Sequence, residues 1–245
     1  MVRLLLLSAL FLICCAVTVS AQKDFEIDTI STSGGDLKIT FIGHGTLMFT
    51  YGGKVIHVDP WSKLADYSKL PKADLVLITH EHQDHLDADA LKKISTKQTQ
   101  VLLNNESSKK VKDGAAMANG DVKEAVGVKI EAVPAYNLVH KRDTGQPFHP
   151  KGMGNGYIIT FGDKRMYVAG DTENTPEMKA LKGIDIAFLP MNLPFTMTPE
   201  MVADAAKGFK PKILYPYHTG DTDLSKLTAL MKDTPEIEVR LRKMK

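Results

Sequence analysis

The segment from residue 75 to residue 85 constrains this chain more than any other. Leu75–Ile78 is an uninterrupted apolar run, typical of a buried strand. Directly after it, four potential ligands fall within six residues in the order His-x-His-x-Asp-His: His80, His82, Asp84 and His85. Neutral imidazoles and carboxylates bind zinc, iron or manganese. Four such side chains at a strand end favour a site for one or two divalent metal ions, close enough to share a bridging water, over a solvated loop.

Residues 1–21 have the pattern of a secretory signal. Arg3 precedes an apolar segment over residues 4–19, and the small residues at 19 and 21 suit a signal-peptidase site. We therefore expect cleavage after Ala21 and a mature domain over residues 22–245, secreted or periplasmic, with no stable membrane span. An uncleaved anchor is the alternative, although the segment is short for a span of about 20 residues. Cys14 and Cys15 both lie here, so the mature chain has no disulfide. Lipoprotein processing at one of them is a less favoured alternative, because Ile13 precedes Cys14 where a small residue is expected.

The length and charge of the chain narrow its class. Residues 22–245 suffice for one domain with a full hydrophobic core. The formal net charge is only +2 at pH 7, which gives no indication of nucleic acid as a partner and leaves a small-molecule substrate. One lysine cluster is more typical of a solvated face than of a patch for an anionic ligand. Its members are Lys92, Lys93, Lys97, Lys109, Lys110 and Lys112.

Alternating and β-branched segments predict a strand-rich first half, followed by strands that alternate with helices. Two helix starts are clear, because Thr175 and Thr198 each precede a proline and a glutamate, as a cap precedes the first turn. This order predicts an α/β fold in which two mixed sheets pack face to face with helices outside, a four-layer αββα sandwich. Residues 22–35 are a lead-in strand or loop. The predicted strands are 37–41, 46–51, 55–58, 75–79, 101–103, 128–133, 157–161, 166–169, 184–189 and 213–215, with a helix over 87–94.

Three further strand ends carry potential ligands or their supports. Asp171 follows a predicted strand and Gly170, where a carboxylate can bridge two cations. His218 follows the last predicted strand. Without the other ligand candidates, a single histidine at this place would be interpreted as a structural residue. Asp59, at the end of the third strand, is expected to hold a ligand histidine or its loop by hydrogen bonds, with an ordinary Asp-Pro turn as the alternative.

The order of these motifs resembles that of the metallo-β-lactamase superfamily over residues 37–220. More narrowly, the chain resembles the branch of ascorbate-6-phosphate lactonase-like and N-acyl-phosphatidylethanolamine phospholipase-like hydrolases, on Gly43-His44-Gly45, Gly170-Asp171-Thr172 and residues 184–190. The resemblance implies metal-dependent hydrolysis of an ester, lactone or phosphodiester with zinc, manganese or iron. By residue, it implies metal ligands at His80, His82, Asp84, His85, Asp171 and His218.

One position departs from the pattern. The family usually supplies another histidine after the strand that ends near Val133, and this chain has Asn137 there. His140 and His149 are the two candidates to replace it, and a degraded first site is the third possibility. If Asn137 has simply replaced a ligand, the first cation is held weakly and a histidine at position 137 should tighten its binding.

The candidate catalytic residues are found among the ligand candidates and the histidines near them. Asp84 is a candidate general base, and either water or a nearby histidine, His44 or His149, would protonate the leaving group. A different class of function is also open: a non-catalytic member that binds a metal or ligand through a decayed site. Antibiotic hydrolysis by a β-lactamase is a third and less favoured hypothesis.

Overall fold

The computed structural model describes residues 24–245, and the predicted signal over residues 1–21 therefore lies outside the described residues. The first half of the chain forms one seven-stranded sheet in which the strands lie in chain order. The first four strands are antiparallel, and the last pairings are parallel. The strands are β1 (Glu26–Thr32), β2 (Gly35–Gly43), β3 (Thr46–Tyr51), β4 (Lys54–Val58), β5 (Leu75–Ile78), β6 (Gln100–Leu103) and β7 (Ala115–Ala116).

The second half forms a second seven-stranded sheet of mixed direction. Its first strands pair antiparallel, and the strands after them pair in parallel. The strands are β8 (Val122–Ala125), β9 (Val128–Ala135), β10 (Gly154–Phe161), β11 (Lys164–Val168), β12 (Ile186–Pro190), β13 (Ile213–Tyr217) and β14 (Glu238–Val239). All ten predicted strands are therefore confirmed to within a few residues, and the 22–35 lead-in contains β1.

Five helices connect the strands within residues 24–245, and the two predicted threonine caps are confirmed. The Thr175 and Thr198 side chains each accept a hydrogen bond from a backbone N–H three residues on, with proline in the first turn. None of the described helices is long and apolar enough to cross a membrane. The helices are α1 (Ala88–Ile94), α2 (Asn105–Ser108), α3 (Pro176–Lys179), α4 (Pro199–Phe209) and α5 (Leu224–Met231).

The predicted αββα sandwich is confirmed by how the core is divided. The central layer packs side chains of both sheets together, with Phe49 of the first sheet against Phe161 and Phe188 of the second. On the outer face of the second sheet, α4 and α5 bury a separate apolar cluster. On the outer face of the first sheet, α1 buries a third cluster. Each sheet is therefore apolar on both faces, as strands enclosed between layers require.

Parallel strands bring the polar segments together. β4 and β5 run parallel in one sheet, and β11, β12 and β13 run parallel in the other. Their carboxyl ends lie at one edge of the sandwich, where connecting loops are free to carry polar side chains. Asp59, the segment from Thr79 to His85, Asp171 and His218 all directly follow these strand ends.

Candidate metal centre

Several site residues have an unusual backbone conformation. His44, Asp59 and His218 have positive φ angles of 51°, 45° and 48°, which non-glycine residues rarely adopt. Such strain persists only where surrounding contacts fix it, and it clusters at functional sites. His218 N–H donates to the His44 carbonyl oxygen at 2.9 Å, which ties two of these residues together. At Gly45, an added Cβ would lie 3.0 Å from His85 Cε1, so a glycine lets this turn approach the imidazole.

Four side-chain atoms converge in what we call the first donor set. His82 Nδ1 lies 3.0 Å from His80 Nε2 and 3.3 Å from His149 Nε2. Asp171 Oδ2 lies 3.4 Å from His149 Nε2 and 3.9 Å from His80 Nε2. Three of the four residues are almost fully buried, and His82 is half-buried. The structure therefore brings His149, and not His140, to the three residues implied by the sequence.

A second donor set lies on the other side of Asp171. Asp171 Oδ1 is 3.5 Å from His85 Nε2 and 3.5 Å from His218 Nε2. Asp84 Oδ2 is 3.6 Å from each of the same two nitrogens. The two imidazoles are stacked, with ring centroids 5.3 Å apart. Asp171 thus presents one carboxylate oxygen to each donor set, as the sequence predicted for a bridging residue.

The spacing and chemistry of both sets suit divalent cations. Tetrahedral coordination with metal–ligand distances of about 2.1 Å places neighbouring ligand atoms about 3.4 Å apart. The separations in the second donor set are 3.5–3.6 Å. Three of its atoms, His85 Nε2, Asp171 Oδ1 and His218 Nε2, are buried without a hydrogen-bond partner among residues 24–245. A buried, unpaired polar atom is costly, and three at one point indicate that a ligand completes them.

Asp59 determines which nitrogen of His85 faces the second donor set. Its Oδ2 lies 2.8 Å from His85 Nδ1, and its two oxygens also accept hydrogen bonds from the backbone and hydroxyl of Thr79. Because a carboxylate accepts the hydrogen bond, His85 Nδ1 carries a proton, and in the neutral imidazole Nε2 is the nitrogen whose lone pair faces the second donor set. Burial opposes protonation of His85, but the Asp171 and Asp59 carboxylates outweigh it and raise its pKa to about 9 in the metal-free protein.

Three other ligand candidates, His80, His149 and Asp171, have the charge states that metal binding requires. Burial lowers the pKa of His80 well below 6.5 and that of His149 to about 4, so both imidazoles are neutral at pH 7. Burial works to raise the pKa of Asp171, but the surrounding histidines, His218 first, lower it below the usual range. Neutral imidazoles around an ionised carboxylate are the protonation states in which these groups coordinate a cation.

Asn137, the departure in the motif, holds His149 in place. Its Oδ1 accepts hydrogen bonds from both the backbone N–H and Nδ1 of His149, each at 2.8 Å. The Nδ2 atom donates to Glu173 Oε1 at 3.1 Å and to the Phe195 carbonyl at 2.9 Å. An amide oxygen only accepts, so His149 must carry its proton on Nδ1 and present Nε2 to the first donor set.

Glu173 was missed by the sequence analysis. Its buried carboxylate accepts hydrogen bonds from the backbone N–H groups of Leu138, Val139 and His140. It also contacts His140 Nδ1 at 2.6 Å, which keeps that imidazole out of the donor sets. The sequence signal was its place two residues after Asp171, at the same strand end. Only the folded loop shows that this acid organises the segment on which Asn137 lies.

His44 lies beside the second donor set at the edge of a cavity. His44 Nε2 is 3.1 Å from Asp84 Oδ2, and its ring centroid is 3.7 Å from that of His218. Burial lowers the pKa of His44, against the opposing effect of Asp84. The cavity beside them has a volume of about 480 Å³. Its walls include His44, Trp61, Arg142, Phe148, Asn192 and Phe195.

Comparison with known families identifies this arrangement. The family model described as the Beta-lactamase superfamily domain matches residues 38–218, which is most of the chain. The chain belongs to the metallo-β-lactamase superfamily. Its relatives in this superfamily include proteins named UPF0173 metal-dependent hydrolase. That of Pyrococcus horikoshii is 34% identical over 195 residues, covering 74% of this chain and 84% of the relative. That of Pelotomaculum thermopropionicum is 31% identical over 193 residues, with the same coverage of each chain.

Solved structures agree with this membership. A Parabacteroides distasonis protein with the provisional name metal-dependent hydrolase shares 50% sequence identity and a TM-score of 0.87, covering 91% of this chain and 100% of that one. Igni18, described as a novel metallo hydrolase from Ignicoccus hospitalis, shares 27% identity and a TM-score of 0.70, covering 84% and 95%. The family predicted from the motif order and the sandwich fold predicted from the order of strands and helices are therefore both confirmed.

Proposed function

We propose that this protein is a metal-dependent hydrolase that binds two divalent cations, bridged by Asp171. His80, His82 and His149 complete the first position, and Asp84, His85 and His218 complete the second. The observation that carries the proposal is the convergence of three buried, unpaired ligand atoms at separations that suit tetrahedral coordination. The names of the relatives support the same class of activity. The nitrogen-rich set favours zinc, with manganese and iron as alternatives.

The chain's own residues divide the remaining tasks. When bound, divalent cations supply Lewis acidity, which lowers the pKa of a coordinated water to about 7 and polarises the scissile group. Asp84 has one oxygen among the donor atoms and is partly exposed to the cavity, so it is placed to accept a proton. His44 contacts that carboxylate and lines the cavity, so it is the candidate that returns a proton to the leaving group. His149, predicted as the other candidate acid, is assigned here as a ligand.

The cavity favours a small substrate with an anionic part. Its volume of about 480 Å³ lies within the range of small-molecule sites. Trp61 and Phe148 give it aromatic walls, and the Arg142 guanidinium lies 5.0 Å from the Phe148 ring centroid. Within the described chain Arg142 has no acidic partner, so it is free to bind a carboxylate or phosphate. We therefore favour an ester, lactone or phosphodiester that bears such a group.

Two rival functions are less well supported. A non-catalytic member with a degraded first site was suggested by Asn137, and the convergence of His149 with His80 and His82 argues against it. β-Lactam hydrolysis rests only on the expected secretion.

We retain the proposal that residues 1–21 are a cleaved signal, that residues 22–245 form the hydrolase domain, and that the protein is secreted or periplasmic.

Metal analysis tests the proposal directly. We expect about two equivalents of metal per chain in the purified protein. His82→Ala should bind clearly less metal, since the variant removes one imidazole from the four donors of the first set. His140→Gln is the matched control, because His140 is bound to Glu173 and should leave the metal content unchanged. A panel of phosphodiester, lactone, ester and β-lactam substrates, with and without chelator, then tests catalysis. Full metal content in His82→Ala, or turnover unaffected by metal removal, would contradict the assignment.

A further inference from the structure

A second and larger cavity lies on the other side of the His82 loop. We call it the α1 groove. It has a volume of about 770 Å³ and is bounded by helix α1 and residues 110–113. Four half-buried apolar side chains line it, and all four pack against the outer core cluster beneath: Leu86, Leu91, Val101 and Val111. An apolar lining on a rigid base suits an apolar ligand.

The lysines that line the groove differ from their neighbours in having no acidic partner. Of the six clustered lysines, Lys93 and Lys109 have local acidic partners and do not line it. Lys92, Lys110 and Lys112 do line it, and among residues 24–245 no carboxylate pairs with any of the three. Lys110 donates instead to the Glu81 carbonyl at 3.1 Å.

Two acidic residues, Glu81 and Asp113, also line the groove. Glu81 accepts a long hydrogen bond of 3.4 Å from Asn104, and within the described part of the chain neither acid pairs with a lysine side chain. Three unpaired lysines thus outnumber two acids around an apolar lining, which favours a ligand that combines an apolar part with negative charge.

The α1 groove adjoins the metal centre. His82 and Gln83 line both the groove and the 480 Å³ cavity of the candidate metal centre. One ligand can therefore place its reacting bond beside the donor sets and extend its other part past Gln83 into the groove. Lys110 binds the backbone of the same loop, at Glu81, and so ties the groove wall to the segment that carries His82.

We infer that the α1 groove binds an apolar chain bearing a carboxylate or phosphate, and that the substrate of the proposed hydrolase is therefore an anionic amphiphile. The identity of the substrate class rests on the proposed function, but the binding site itself does not. The apolar chain packs on Leu91 and Val111, and Lys92 and Lys112 contact the anionic group.

Equilibrium binding to the purified protein tests the site without catalysis. The probes are decanoate and decyl phosphate below their micellar concentrations, decyltrimethylammonium as the cationic amphiphile of equal chain length, and acetate. Each titration is run with metal bound and after chelation. We expect both anionic amphiphiles to bind in either state, at least tenfold more tightly than the cationic amphiphile, and acetate not to bind the chelated protein. The stronger of the two anions identifies carboxylate or phosphate as the preferred group.

Surface variants separate charge from shape. Lys92→Glu combined with Lys112→Glu should weaken anion binding by about tenfold, because two attractive contacts become repulsive. Ala88→Trp should also weaken it, because Ala88 is exposed on the groove wall and a large ring there fills the apolar space. Lys97→Glu and Lys97→Trp are matched controls, since Lys97 is exposed on the same surface and does not line the groove. Thermal melts confirm that each variant is folded.

The outcomes for site and activity are distinct. Unchanged decanoate binding in both groove variants, or equal binding of the cationic amphiphile, would overturn the inference, whatever the activity. If decanoate binds as expected and no ester, lactone or phosphodiester of any chain length is cleaved, the groove stands and the proposed hydrolase fails. If both hold, the groove variants should lose kcat/KM for decanoyl-length anionic esters while keeping that for acetyl esters and the full metal content.

Discussion

Asn137→Ala should loosen metal at the first donor set without removing any ligand. The variant deletes two hydrogen bonds that orient His149, at 2.8 Å each, and two that anchor the amide to Glu173 and the Phe195 carbonyl. With the Nδ1 proton no longer held, His149 gains freedom to rotate or to present its other tautomer. Loss of such an orienting partner typically lowers metal affinity 10- to 100-fold.

The stability cost of this variant can be bounded from the same contacts. A neutral hydrogen bond contributes about 1 kcal/mol and one to a charged group about 1.5–3 kcal/mol, so the three neutral bonds and the one to Glu173 together contribute roughly 4.5–6 kcal/mol. Glu173 keeps its backbone donors, which reduces the loss. We therefore expect the metal-free variant to remain folded but to unfold at a lower denaturant concentration.

Competition with a chelator measures the metal affinity, and Asn155→Ala supplies a matched control. Asn155 is an equally buried amide, bonded to Met117 and Asn119, that does not contact His149. It should lose stability and keep metal affinity. Asn137→His should also weaken binding, contrary to the expectation from sequence. A neutral imidazole has one donor and one acceptor on opposite sides of its ring, so it cannot accept two hydrogen bonds and donate two as the amide does. Unchanged affinity in Asn137→Ala, or tighter binding in Asn137→His, would refute this reasoning.

Three further predictions concern groups away from the donor sets. His57 is fully buried, and burial lowers its pKa from 6.5 to about 4, so its contribution to stability is full above pH 6.5 and is lost as the pH falls toward 4. That loss is about 3 kcal/mol. The difference in unfolding free energy between wild type and His57→Phe, measured by denaturation, should therefore change by this amount between pH 7 and pH 4. A difference that stays constant with pH would disprove the role of His57. Burial works to raise the pKa of Asp28, but hydrogen bonds from Arg242 and Tyr215 lower it, so Asp28→Asn should destabilise the fold at pH 7 and lose part of the normal decline in stability below pH 4. An acid transition identical to that of wild type would show that Asp28 does not anchor the C-terminal residues that carry Arg242. Mass spectrometry of the exported protein should find Gln22 at the N-terminus, whereas intact Met1 or a lipid-modified cysteine would exclude cleavage after Ala21.

The sequence by itself determined the features that depend on neighbouring residues. A buried strand of four apolar residues followed by His-x-His-x-Asp-His places several ligands at one strand end, because residues so close in the chain cannot separate. Alternation and β-branched residues predicted the ten strands, and helical spacing over residues 87–94 together with two Thr-Pro-Glu starts predicted three of the helices. Four short elements were not predicted, β7, β8, β14 and α2, because two to four residues are too few for a periodic pattern. The eight-residue helix α5 was not predicted either.

The tertiary structure decided which distant residues meet. His140 and His149 were equivalent in the sequence, since both follow the same strand and either loop path was possible. The choice depends on Glu173, which binds His140 and the backbone around it, and on Asn137, which binds His149. These contacts join residues 33 to 36 positions and 12 positions apart, and they exist only once the two sheets have packed and excluded water from the loop. The grouping of three lysines around the α1 groove has the same origin, because only folding separates them from the lysines that local acids neutralise.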